Sequence, residues 1–336
     1  TEKASGMVSV AGGSGNIAGS VSITSGVGTA TDGTISILGG SQAKFGTASG
    51  SEGEVSILTG TSEGNSGSVR VSTGSSEAAS AGDISIVGGS GKLTGSSVTL
   101  SAGDSDIASR GMSSAAGSVN VGAGSGAVGG DLSLRAGEGM VSSGGTINIE
   151  AGKGASEAGG NVLISAGAVT GSGTGGSVSV QGGNNLMAGG DGGSVSISGG
   201  ESVDGAGGTL NLFGGLSASA NSGDVTVSTS SSKEISGKLT IESGASNAAS
   251  GDVAIQTGDS VQGDSGSITI AAGSSGSADS TAGTVSLNAG SGATGGSISL
   301  TSGSGDQQGG DAKIIGDASV EISAHESAVS ISTTDT

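Results

Sequence analysis

The chain has 336 residues, 75 of them Gly, with two Phe and no Trp, Tyr, Pro or Cys. Aromatic side chains supply much of the buried area of an ordinary core, so this composition argues against a conventional globular domain, and the lack of Cys removes disulfides and thiolate metal sites. The net charge of −19 comes from 29 acidic and 10 singly scattered basic residues, which repels nucleic acid and anionic membrane surfaces, and no apolar run is long enough to span a bilayer.

Gly and Ser at this level are common in flexible linkers. Here, however, 32% of residues are apolar, mostly β-branched or Leu, and they recur at regular spacing. The expectation is a thin but organised core. At the start, Thr1-Glu2-Lys3-Ala4-Ser5-Gly6 runs directly into a repeat, with no initiator Met and no signal-peptide pattern, which reads as a processed chain or an excerpt from a longer array.

One unit then recurs: Gly, a small polar residue, apolar, polar, apolar, any residue, small residue, Gly. Clear examples are Gly145-Thr146-Ile147-Asn148-Ile149-Glu150-Ala151-Gly152 and Gly193-Ser194-Val195-Ser196-Ile197-Ser198-Gly199-Gly200. There are 21 units, whose first apolar residue runs from Val8 to Ala312 in 20 steps of 13 to 21 residues. The Gly two positions before that residue is present in 20 units, and Ser96 replaces it in the other. Each unit predicts a strand of about five residues, with the two apolar residues and the following small residue on one face. In one unit those three are Val195, Ile197 and Gly199. The third is Gly, Ala, Ser or Thr throughout, as expected where the chain turns a corner, and the bracketing glycines suit positive φ or close backbone approach.

Between strands lie variable segments, shortest at Ser14 to Ala18 and longest around Asp104 to Ala116. All strand patterns share one polarity, with no tight turn joining mirror-image strands, so these segments read as return paths of a coil. The predicted fold is all-β: a parallel β-solenoid (β-helix) of about 21 coils over residues 1–317, roughly 100 Å long at the usual strand spacing. In such a stack Ile197→Asp buries an unpaired charge and is far more damaging than Ser196→Asp. The pattern decays over 318–336, where Val320-Glu321-Ile322 and Val329-Ser330-Ile331 stand closer together and fit tight coils, a hairpin or a strand pairing elsewhere.

The repeats resemble the Gly/Ser-rich repeats of large secreted or cell-surface proteins of diatoms and related microalgae. Gly193 to Gly200 and Gly296-Ser297-Ile298-Ser299-Leu300-Thr301-Ser302-Gly303 carry the resemblance. It implies an extracellular or cell-surface location, as a matrix, wall or appendage component. The units are also similar to the head domains of trimeric autotransporter adhesins, whose repeats are more uniform in length.

Catalysis finds no constellation of ionisable groups to work with. The single His, His325, lies in the irregular tail, and acid–base residues occur singly, so no enzyme activity is expected. For metal, Asp recurs beside Gly at Asp131, Asp191, Asp224, Asp252 and Asp311, where stacked turns would align oxygens around calcium. A calcium roll needs Asp in every coil, and here it alternates irregularly with Ser and Thr, so solvated turns are the simpler reading. Outward positions such as Ser179, Ser196, Asn211 and Thr226 form a Ser/Thr/Asn row, and no Asn-x-Ser/Thr sequon exists for N-glycosylation. The expected function is structural, in an extracellular fibre, sheath, appendage or wall, with the chain itself as partner. The alternative is a surface adhesin whose polar row grips glycan, ice or mineral.

Overall fold

The structure, a computed structural model of the single chain, describes residues 6–29, 31–49, 52–105, 115–155, 158–324 and 329–332. Among these residues there is neither an α-helix nor a β-strand. The expected solenoid is therefore corrected: the repeats are extended segments joined by loops, and no sheet unites them. Within each five-residue segment, from the first apolar residue to the small one, no backbone group bonds another backbone group among the described residues. The physical reason is the poverty of each unit. Two Val, Ile or Leu side chains in about 15 Gly- and Ser-rich residues give too little burial to offset the entropy of ordering so flexible a backbone.

The surface area reflects this. At 30.4 kDa the chain exposes 33343 Å², whereas a folded monomer of that mass exposes about 12,000 Å² and an unfolded chain about 44,000 Å². No described residue is fully buried. From Val21 to Ile298 the first apolar residue of each unit remains 46–63% exposed, and from Ile23 to Ile314 the second remains 61–78% exposed. Because Ile197 is itself exposed, a charge placed there is not buried within the chain, and the predicted intramolecular damage does not follow.

What the repeat does organise is the neck of each loop. The Gly that precedes a segment donates its N–H to the carbonyl of the Gly that follows the previous segment, as in Gly145 to Gly137 and Gly208 to Gly200. Fourteen loops close this way, at 2.7–3.0 Å, with Ser96 donating in one of them. The paired positions stand from six residues apart (Gly13 and Gly19) to fourteen (Gly103 and Gly117). Loop length therefore does not alter the closure. The bracketing glycines serve close approach rather than inverted backbone, since Gly189, with φ 86°, is the only described residue at positive φ.

The small residue just before the trailing Gly sets the width of this neck. Where it is Gly, a methyl placed on the leading Gly19, Gly193 or Gly208 lies 2.9 Å from the opposite amide nitrogen. Where it is Ala, the same distance at Gly145, Gly160 and Gly296 is 3.3 Å. With Thr59, Thr229 or Thr257 in that place, only the Thr side chain comes within reach of Gly67, Gly237 or Gly266. All fourteen closed necks carry Gly, Ala or Ser there; the six not closed among the described residues follow Thr in four loops (Thr59, Thr73, Thr229 and Thr257), Gly39 in one and Ser243 in another. In the Thr loops the β-branched methyl stands in the neck as a wedge, whereas the necks behind Gly39 and Ser243 are open without one. Of the seven described residues that are half-buried, five occupy this position: Ala102, Ala136, Ala151, Gly182 and Gly214.

Exchanging the wedge is expected to move the hydrogen bond with it. Thr257→Ala should slow amide exchange at Gly266, and Ala136→Thr should speed it at Gly145, each about three- to tenfold, the worth of one partly solvated hydrogen bond. Residue-resolved hydrogen exchange by NMR reads both, and unchanged rates would show that side-chain size does not control the neck.

Two residues beyond the trailing residue, which is Gly except at Ser230, the loop bends, and this position is Gly, Ser or Asn in 18 of the 20 loops between units. When it is Ser, its hydroxyl accepts an amide two or three residues on: Gly205 N–H to Ser202 at 2.8 Å, Ala220 to Ser217 at 3.0 Å, Gly263 to Ser260 at 3.0 Å. Asn185 does the same for Met187. When it is Gly, as at Gly126, the carbonyl of Val128 folds over the bare Cα, 3.1 Å from where a Cβ would stand. Both solutions close a local turn without a core.

The chain falls into two units, Thr1–Ile164 and Ser165–Thr336, and this repeated device serves in each. Near the end, Val320 and Ile322 repeat the half-exposed and more exposed pair of the regular units, and neither joins a strand pair.

Candidate functional site

The chain offers no cavity among its described residues. Each of the two units carries two recurrent surfaces: its series of extended segments, the segment row, and its loop tips. The segment row presents paired Val, Ile and Leu side chains interleaved with Ser, Thr and Asn, all solvent-accessible and with their backbone amides and carbonyls unpaired by other backbone. The loop tips present isolated apolar side chains that are barer still, such as Leu93, Val203 and Ile235 at 91–98% exposure.

Charge separates the two surfaces. The 21 five-residue segments make up about a third of the chain yet hold five of its 39 Asp, Glu, Lys and Arg residues: Arg70, Arg135, Glu150, Glu242 and Lys313. Three of these are basic and two acidic, so the row carries a net +1 and the rest of the chain −20. Acidic residues flank the loop tips directly, as in Glu201-Ser202-Val203-Asp204.

The proposed calcium residues are all exposed. Asp131, Asp224, Asp252 and Asp311 each follow a leading glycine, a place that Asp83 shares and that was overlooked from sequence, whereas Asp191 stands two residues upstream of Gly193 within a loop. Among the described residues no three His, Asp or Glu side chains gather into a group that would hold a metal ion. An acidic residue does act within one loop: Asp32 Oδ1 accepts the N–H of Gly28 at 3.0 Å, which caps the turn. His325, the first five residues and much of the longest loop lie outside the described residues.

Sequence reading missed the bending position of the loops, represented by Ser202, Ser217 and Ser260. Its signal was present as a third fixed offset, two residues after each trailing residue, hidden because Gly and Ser substitute for one another there. No helix among the described residues is long and apolar enough to cross a membrane. Compared with known proteins, the chain matches no family model, no curated protein and no solved structure.

Proposed function

We propose that this chain is a structural component of an extracellular fibre, sheath or wall and works by associating with copies of itself. One observation supports the reading above all: the Val/Ile/Leu pairs recur in unit after unit, and each stays exposed in the single chain. Apolar surface repeated at this density is costly in water and is relieved by contact between molecules. The extracellular placement rests on the likeness of the repeats to Gly/Ser-rich surface proteins of microalgae. It is independent of any solenoid, since association here supplies the burial that the single chain lacks.

Negative-stain electron microscopy of the purified chain over a rising concentration series tests this. Filaments or sheets of uniform width are expected above a threshold concentration. Separate chains at every concentration and salt would overturn the structural reading and turn attention to an adhesin, in which the Ser/Thr/Asn row meets a foreign surface.

A further inference from the structure

We infer that the surface through which one copy meets another is the row of extended segments, with the acidic loops held outside the contact. This rests on the self-associating reading above and adds which residues touch. The occupant is a second copy of this chain, and the first reason is charge. A basic partner would be drawn to the loops, where 22 acidic and 6 basic residues leave a net charge of −16, whereas the segment row at +1 attracts neither sign. A like row, apolar and neutral, meets it without electrostatic penalty.

The second reason is area. A half-exposed Val, Ile or Leu leaves roughly 50 Å² of apolar surface to cover, so a segment offers on the order of 100 Å². About eight segments then reach the roughly 800 Å² per partner of a stable interface, and the chain has 21 of them. The third reason is the backbone. Segment amides and carbonyls have no backbone partner among the described residues, and unpaired extended backbone is a template for a second chain. Loop tips share the bare backbone and the apolar area but lack the neutrality. Val203 and Ile235 are more exposed than most segment residues, but Asp204 adjoins the first and Glu234 the second, so two copies approaching tip to tip bring like charges together.

Two triple variants of equal added charge decide between the surfaces. The first, Ile147→Glu, Val195→Glu and Leu210→Glu, places carboxylates in the row. The second, Val203→Glu, Ile235→Glu and Val261→Glu, places them at loop tips. Sedimentation measures the concentration at which each chain assembles, and amide exchange at Gly160 and Gly223 checks that closed necks survive in the dilute variants. The segment triple is expected to raise the assembly threshold at least about tenfold, because its carboxylates must be desolvated in the contact. The loop triple should shift it by about twofold or less, since its charges stay in screened solvent. Equal shifts, or a larger shift from the loop triple, would overturn the assignment while leaving self-association intact. Failure of the unaltered chain to assemble would instead remove the structural function itself.

Discussion

A dilute solution of this chain is expected to show no cooperative unfolding endotherm on heating. Globular proteins absorb about 0.7 kcal/mol per residue near 60 °C, which for 336 residues amounts to about 240 kcal/mol. That heat comes from dismantling packed interiors and exposing buried surface, and here no described residue is buried. The necks contribute one hydrogen bond per closed loop, and each opens independently because no side-chain packing couples it to the next. Far-ultraviolet circular dichroism of the same dilute sample should drift with temperature rather than break. Above the assembly threshold a transition should appear, and its midpoint should rise with concentration, as mass action requires for any structure stabilised by a partner copy. A sharp transition at a midpoint independent of concentration would show that a single chain holds its own core.

Ionic strength is expected to govern assembly nearly as strongly. At about 0.01 M salt the screening length is near 30 Å, and at about 1 M near 3 Å. Loops bearing −16 therefore repel across any close contact in the first condition and hardly at all in the second. The threshold concentration should fall at least about tenfold between these limits, as apolar contact is freed from charge repulsion. Calcium and magnesium chlorides at matched ionic strength should act alike if their role is screening, because Asp131, Asp191, Asp224, Asp252 and Asp311 belong to no three-ligand group among the described residues. Calcium acting far below the magnesium concentration would mean that association assembles a site from carboxylates of more than one copy. A threshold that climbs with salt would show contacts built on ion pairs and would contradict the neutral row.

The legible part of this fold was the local part. The bracket from Gly193 to Gly200 identified where the chain comes back on itself, and the exclusion of large residues at positions such as Gly199 and Ala151 pointed to a constriction, which the necks provide. Both are properties of a few neighbouring residues, and Gly or Ala in a fixed place leaves few alternatives. The stacked solenoid failed at a different level. Alternation of Val195, Ser196 and Ile197 says that two faces differ, but it carries no information about what lies opposite either face. A layer of the same chain and a layer of another copy demand the same pattern. The Thr positions show the finer limit: Thr257 and Ala272 both read as small residues, yet the γ-methyl of Thr257 stands against Gly266 across an open neck while the neck behind Ala272 is closed. The segment row was visible in sequence as an apolar pattern, and its neutrality was open to counting from the same limits, since charge and segment are both properties of the sequence.

The closed necks also mean that the chain stores length. Each holds six to fourteen peptide steps behind a single backbone hydrogen bond, which drawn straight amount to roughly 20–50 Å. The six loops that follow Gly40, Gly60, Gly74, Ser230, Gly244 and Gly258 show no such latch among the described residues and need no neck bond broken to lengthen. A strand of material made from these molecules thus has two reserves of extension, one given up at no cost and one released a loop at a time, and each released loop can latch again when the load is gone.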